Sequence, residues 1–174
     1  MDVRFVLPDI ELLDEIECEA LAMPFYEDER PLRGVLGMLD WRLCGFVSRM
    51  IIRGRICGCL GEAVLLPGRP HLNVDKLFLF GQGLEEAWTE ERARQTTERM
   101  LSALGLAAAR TSVLALPGRE TEGIAPARAM EIFLQVSKEH PEHDEVIVVE
   151  SEWGQKAMTS VLERQRRRDR ALDG

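Results

Sequence analysis

The chain of 174 residues lacks a long apolar run, an excess of basic residues and a leader peptide. No apolar run approaches the roughly 20 residues that cross a bilayer, so no membrane span is predicted. The formal net charge of −8 argues against general nucleic-acid binding, which needs a basic surface to displace counterions. Charges at Asp2 and Arg4, followed by Pro8, leave no apolar segment for a secretory signal.

The four cysteines lack the spacing of known cysteine sites. Cys57-Gly58-Cys59 has no second pair of ligands for zinc, and it is not the C-x-x-C of thiol redox enzymes. Cys18 and Cys44 stand singly in apolar surroundings. We therefore expect reduced thiols in or near the core and a cytoplasmic protein, with a redox-sensitive pair at Cys57 and Cys59 as the alternative.

The order of apolar segments predicts an α/β fold. No repeat or low-complexity linker interrupts the chain, which indicates one domain over 1–174. Predicted strands are Val3–Leu7, Ala63–Leu66, Leu77–Phe80, Thr111–Leu116 and Glu145–Glu150. From the central strands onward, strands alternate with helices that begin after Thr89, Ala125 and Ser151. Alternation predicts parallel pairing with helices on both faces, and the two central strands, which follow each other without a helix, make the sheet mixed.

Three segments need an interpretation of their own. Ala20–Tyr26 contains Pro24, which favours an edge strand over a helix. Apolar residues recur at three- and four-residue steps over Pro31–Arg53, which predicts one long helix. The last helix ends in five arginines, and a solvated helix end is favoured over docking onto an acidic surface, such as a second copy. These arginines are Arg164, Arg166, Arg167, Arg168 and Arg170.

The loop Pro117–Pro126 is the preferred ligand-loop candidate. It joins a buried strand to a helix N-terminus, and open α/β sheets bind ligands at the carboxyl ends of their strands. Pro117 and Gly118 make the turn, and Arg119 is placed to meet an anion. A long connection with turn residues is the simpler explanation and the favoured one.

Two further motifs carry weaker signals. Gly81-Gln82-Gly83 stands between a strand and a helix, as phosphate loops do, but Glu86 replaces the third glycine and a turn explains the pair. His140 and His143 lie in H-P-E-H-D-E, a spacing that a divalent metal can use, although a solvated loop is the favoured reading. No G-x-S-x-G setting surrounds any serine.

Several segments together resemble the N-terminal domain of leucyl (cytosol) aminopeptidases. They read E-A-L-A-M-P-F-Y-E-D-E-R-P-L-R-G, G-M-L-D-W, G-E-A-V-L-L-P-G and K-L-F-L-F-G-Q-G, the last followed by T-E-E-R-A-R-Q. The resemblance covers roughly Ala20 to Val149. It implies a three-layer αβα, macro-domain-like fold with a mixed central sheet, in which Ala20–Tyr26 is a strand.

The resemblance also carries functional expectations. The catalytic signature N-T-D-A-E-G-R of those enzymes is absent, so we expect no catalytic residue, metal or cofactor. A stand-alone, non-catalytic relative implies an assembly or interaction module, as a homo-oligomer or with a separate protein partner. True macro domains bind ADP-ribose, and G-I-A-P-A-R-A is similar to their second ligand loop, with Gly123 beside a phosphate. The alternative function is therefore binding of an anionic or nucleotide-type small molecule.

Overall fold

The computed structural model describes residues 1–172, apart from the side chains of Asp169 and Leu172. The last two residues of the predicted 1–174 domain lie outside the described residues. The strands are β1 Asp2–Val6, β2 Ala20–Phe25, β3 Ala63–Pro67, β4 Lys76–Gly81, β5 Thr111–Leu114 and β6 Glu145–Val149. The helices are α1 Ile10–Asp14, α2 Gly34–Arg42, α3 Phe46–Ile52, α4 Glu90–Leu106, α5 Pro126–Ser137 and α6 Glu152–Leu172.

The six strands form one mixed sheet in the order β1-β6-β5-β2-β4-β3. Every neighbouring pair is parallel except β3 and β4, which are antiparallel. The antiparallel pair is the one whose strands follow each other without a helix, because a short link reverses direction whereas a parallel return needs a crossover. The predicted mixed sheet is confirmed.

Two apolar cores lie on opposite faces of this sheet. Leu21 and Met23 of β2 point to the core shared with α1, α2 and α3, whereas Ala20 and Ala22 point to the core shared with α4, α5 and α6. Strand β4 alternates in the same way. Because strand side chains alternate with period two, a strand buried on both faces is apolar throughout. The architecture is therefore three-layered, with helices covering both faces.

The edge position predicted for Ala20–Tyr26 is wrong. Strand β2 lies inside the sheet between β5 and β4, and all six of its residues are buried. Its pairing with β5 ends at Ala22, so Pro24 lies where β4 is the one remaining paired neighbour. A missing proline N–H is tolerated there because no second ladder requires it.

The single long helix predicted over Pro31–Arg53 is also wrong, since the segment forms α2 and α3. The chain turns between them at Cys44 and Gly45, which have φ of 54° and 73°. The buried Asp40 carboxylate accepts hydrogen bonds from the backbone N–H of Val47 at 2.7 Å and of Ser48 at 3.2 Å. This side chain caps the start of α3, so the apolar periodicity continues across a break.

The remaining helix starts follow the predicted caps. Thr89 Oγ1 accepts the Arg92 N–H at 3.2 Å, and Pro126 occupies the first turn of α5. Ser151 Oγ accepts the Gly154 N–H at 3.2 Å at the start of α6. In the described part of the chain, no helix is long and apolar enough to cross a membrane.

Candidate functional site

The carboxyl ends of the parallel strands β2, β4, β5 and β6 meet at one edge of the sheet, called here the carboxyl edge. The loop between β5 and α5 lies along this edge, as its position in the sequence predicts. It carries Pro117, Gly118, Arg119 and Gly123, the four residues expected at a ligand site. The structure therefore brings the predicted residues together with the ends of three further strands.

The Arg119 guanidinium is engaged within the chain. Its Nε and Nη2 atoms donate to the Glu150 carboxylate at 2.7 and 3.1 Å, and Nη1 donates to the Ile124 carbonyl at 2.5 Å. The side chains of Arg119 and Glu150 are 10% and 6% exposed. An anion at this loop would have to replace Glu150 as the partner of Arg119.

Burial and pairing act in opposite directions on Glu150. Burial opposes its ionisation, but the hydrogen bonds and charge of Arg119, together with Ser151, outweigh burial and hold the pKa of Glu150 below its ordinary value. Ser151 contributes its backbone N–H at 2.9 Å and its hydroxyl at 3.0 Å. Gly154 lies against Glu150, and a side chain there would overlap the carboxylate. The pair is thus a closed, charge-assisted unit.

Glu120 closes the neighbouring part of the edge. Its carboxylate lies against Gly34 at the start of α2, where a side chain would overlap it. Burial raises the pKa of Glu120, and the nearby Glu29 and Glu150 raise it further, against a hydrogen bond from the Val35 backbone. Glu29 is itself buried, at 3% exposure. Three carboxylates therefore gather near the guanidinium groups of Arg33 and Arg119 at this place.

Trp88 covers the turn at Gly118. A Cβ on Gly118 would lie 2.5 Å from the indole ring, and φ at Gly118 is 79°. The indole Nε1 is buried without a hydrogen-bond partner among residues 1–172, and so is Oε1 of Gln82, a residue 2% exposed. Gln82 Oε1 and Trp88 Nε1 are thus two buried polar atoms at this edge that no described residue satisfies.

Gly81-Gln82-Gly83 uses its backbone N–H groups for internal bonds. The Gln82 N–H donates to the Phe25 carbonyl at 3.0 Å, and the Gly83 N–H donates to the Gly58 carbonyl at 2.9 Å. A phosphate loop instead directs such groups at its ligand. The motif is therefore a turn, and its glycines do not form a phosphate loop.

The solvated-loop interpretation of His140 and His143 is wrong. The residues are 9% and 1% exposed, and the ring nitrogens of His143 lie 3.2 Å from the Ala109 carbonyl and 3.0 Å from the Leu101 carbonyl. Ligand atoms of His140, Glu142 and His143 lie within 4.8 Å of one another. A metal would have to take His143 from its carbonyl partners, because the ring connects α4 to the link before β5.

The expectation of reduced thiols is wrong for two of the four cysteines. Cys57 and Cys59 form a disulfide, whereas Cys18 and Cys44 are free. The turn at Gly58, with φ of 80°, brings the two Cα atoms to 5.3 Å. Neither the composition of the loop nor its spacing required this pairing.

An apolar groove on the opposite side of the sheet from α4–α6 was not predicted. Its volume is about 680 Å³, and Pro31, Leu32, Trp41 and Cys44 line it beside α2 and α3. Trp41 is 73% exposed. The sequence offered one signal for this groove: Trp41 lies outside the apolar periodicity of Pro31–Arg53, so its side chain is not needed in the core.

Comparisons with known proteins agree with this architecture. The Oceanobacillus iheyensis macrodomain with ADP superposes with a TM-score of 0.73 at 15% identity, over 94% of this chain and 91% of that one. Tomato leucine aminopeptidase, in its K354E mutant, superposes with a TM-score of 0.63 at 16% identity, over 92% of this chain and 35% of that one. The fold is therefore macrodomain-like, as the resemblance implied.

Sequence comparison identifies the family. A probable cytosol aminopeptidase of Haemophilus ducreyi is 24% identical over 101 residues, which are 58% of this chain and 20% of that protein. The chain spans about a fifth of the length of the curated relatives it matches. The model of the cytosol aminopeptidase family, N-terminal domain, matches residues 22–137. The chain belongs to the cytosol aminopeptidase family, and the part it shares with that family is the N-terminal domain.

Proposed function

We propose that this chain is a non-catalytic interaction module that associates with a second copy of itself through the surface of α2 and α3. The observation that carries the proposal is the 73% exposure of Trp41, which lines the groove of about 680 Å³ beside α2; Ile52 at the end of α3, outside the groove lining, is 82% exposed. Contiguous exposed apolar surface marks interaction sites, and aromatic side chains are enriched at the centres of interfaces.

Charges beside this surface favour a second copy as the partner. Helix α2 contacts both α1 and α3. The α1 flank is acidic and the α3 flank is basic; their exposed residues are Glu11, Glu15 and Glu17, and Arg49, Arg53 and Arg55. A two-fold rotation places the acidic flank of one copy against the basic flank of the other, so the surface is self-complementary.

The carboxyl edge is consistent with the same proposal, because Arg119 is already paired with Glu150 and Trp88 lies against the turn at Gly118. Assembly is also the role that the family resemblance implies. We place the protein in the cytoplasm, because the relatives it matches are named cytosol aminopeptidases.

Sedimentation velocity of matched variants tests the proposal. The wild-type protein is expected at twice its chain mass of 19.7 kDa at micromolar concentration. Trp41→Glu and Ile52→Glu place a charge inside the interface, so both are expected at 19.7 kDa. Leu106→Glu is the control, because Leu106 is 91% exposed at the end of α4 on the other face. A monomeric wild type, or an equal effect of the control, contradicts the proposal.

A second candidate function is small-molecule binding at the carboxyl edge, through Pro117, Gly118, Arg119 and Gly123. The observation in its favour is the pair of buried polar atoms without partners, Gln82 Oε1 and Trp88 Nε1. A ligand with one donor and one acceptor would satisfy both.

Calorimetry and thermal shift separate the two candidate functions. Adenosine and ADP-ribose are the probes, since they differ in charge. Trp88→Phe keeps an aromatic side chain, although a smaller one, and removes the indole N–H, so it is expected to weaken the binding of a true ligand without unfolding the protein. The absence of heat and of a thermal shift at millimolar probe would rule the second candidate out and leave self-association untouched.

A further inference from the structure

The disulfide between Cys57 and Cys59 closes a ring across the single residue Gly58. Its Cα atoms are 5.3 Å apart. Both cysteines are half-buried. A cross-link between positions so close in sequence removes little freedom from the unfolded chain, so stabilising the fold is a weak reason for this bond.

Hydrogen bonds that involve no sulfur hold the backbone of this ring. The Gly58 carbonyl accepts the Gly83 N–H at 2.9 Å, and the Gly61 N–H donates to the Gly81 carbonyl at 3.2 Å. A Cβ on Gly58 would lie 2.9 Å from the Tyr26 carbonyl oxygen. The ring is therefore packed between the ends of β2 and β4.

The Glu62 carboxylate fixes the same backbone from the other side. It accepts the Cys57 N–H at 3.0 Å and the Gly58 N–H at 2.6 Å. Arg30 Nη2 donates to the Cys57 carbonyl at 3.5 Å. These contacts keep the two sulfurs close whether or not they are bonded, which gives the reduced pair a high effective concentration for closing again.

We propose that Cys57-Gly58-Cys59 is a thiol–disulfide exchange centre, which cycles between disulfide and dithiol with a low-molecular-weight thiol of the glutathione class. The centre is independent of the self-association proposed above. Its chemical setting follows from the proposed cytoplasmic location, where a disulfide is usually transient and either catalytic or redox-sensing.

The exchange balances in two steps. A thiolate of the small molecule attacks one sulfur of the pair, the protein S–S bond breaks, and the other sulfur leaves as a thiolate that takes up a proton. A second small-molecule thiolate attacks the mixed disulfide, and the first cysteine leaves as a thiolate and is protonated. Two small-molecule thiols are oxidised to one disulfide while the protein disulfide is reduced to two thiols.

Differential alkylation after equilibration in glutathione buffers tests the proposal on the full native chain. Trypsin releases a peptide from Ile56 to Lys76 that contains both cysteines of the centre and neither Cys18 nor Cys44. Its mass distinguishes the disulfide from the doubly alkylated form. Because the exchange is two-thiol, the oxidised fraction should fall from about 90% to about 10% over a roughly 80-fold rise in [GSH]²/[GSSG].

Two variants sharpen the result. Cys18→Ser/Cys44→Ser should show the same titration as the wild type. Cys57→Ser should show a glutathione adduct on Cys59 and no internal disulfide. Circular dichroism should report one fold for both redox forms, since the hydrogen bonds of this loop to Glu62, Gly81 and Gly83 involve no sulfur, and the Cys59 N–H alone donates to the Cys57 sulfur.

Three outcomes overturn the proposal. The first is a peptide that remains oxidised in excess reduced glutathione, as a structural disulfide does. The second is a peptide that remains fully alkylated in excess oxidised glutathione. The third is exchange that occurs only after urea has unfolded the chain.

Discussion

Removal of the Arg119 side chain should show how much its ion pair with Glu150 contributes to the free energy of unfolding. Arg119→Met preserves an apolar stem and leaves Glu150, with a side chain 6% exposed, without its guanidinium. Breaking a buried pair from one side costs roughly 3–5 kcal/mol of unfolding free energy, because an uncompensated charge remains. For a domain of this size the loss corresponds to roughly 6–20 °C in melting temperature.

Urea denaturation followed by circular dichroism measures the change. Arg69→Met is the matched control, because Arg69 Nε lies 2.7 Å from Asp75, the same distance as in the Arg119 pair, but the two side chains are 62% and 68% exposed. An exposed pair contributes about 0–1 kcal/mol, so the control should lose little. Similar losses in the two variants would refute the reasoning that burial sets the cost.

The double variant separates charge from packing. Arg119→Met/Glu150→Gln removes both charges and keeps an oxygen that accepts the Ser151 N–H, which now lies 2.9 Å from the carboxylate. Most of the loss should be recovered, because replacing both members of a buried pair is often near neutral. A double variant as unstable as Arg119→Met would mean that the guanidinium acts through packing alone.

The pH dependence of this loss has a definite sign. In the wild type the pKa of Glu150 is held below its ordinary value of 4.5. The ionised carboxylate therefore adds to the free energy of unfolding above pH 4.5, and this contribution disappears as the pH falls through the lowered pKa. In Arg119→Met, burial dominates and the pKa of Glu150 rises, so protonation relieves the buried charge as the pH falls. The difference in stability between the two proteins should therefore narrow from pH 7 towards pH 4.

Three further predictions concern other sites. Glu120→Gln should raise stability at pH 7 and flatten its fall with rising pH above 4.5 in urea titrations, since burial raises the pKa of Glu120 and ionisation opposes folding. Iodoacetamide at pH 8 should label the exposed Cys44 quickly and Cys18 slowly, because burial raises the pKa of Cys18 to about 11; equal rates, read by mass spectrometry, would contradict this. Gly81→Ala should lose roughly 1–3 kcal/mol or more in urea denaturation, because its Cβ overlaps the Cys59 carbonyl oxygen; an unchanged midpoint would show that the loop moves aside freely.

Much of the fold was predictable because its signals are local. Thr89 and Ser151 cap their helices through hydrogen bonds to residues three positions ahead, and Pro126 begins α5 through its fixed φ. The same locality explains the failure at α2 and α3. Apolar periodicity continued across Gly45, and nothing nearby in sequence revealed that Asp40 would cap a second helix.

The place of the candidate loop was predictable, but its chemistry was not. A strand followed by a helix puts Pro117, Gly118, Arg119 and Gly123 at the carboxyl edge whatever their partners are. Glu150, 31 positions from Arg119, becomes its partner only because β6 lies next to β5. Periodicity along a chain carries no information about which strands become neighbours.

The sequence alone determined the alternation of strands and helices, the mixed sheet and the membership in the cytosol aminopeptidase family. The alternation and the mixed sheet depend on residue patterns a few positions long, where propensity and capping act. The family membership rests on the match over residues 22–137. Only the tertiary structure decided that Arg119 is paired, that His143 is buried and that Trp41 remains exposed beside a groove. Burial and long-range pairing arise when distant segments pack, so the physical cause of each lies outside its own segment.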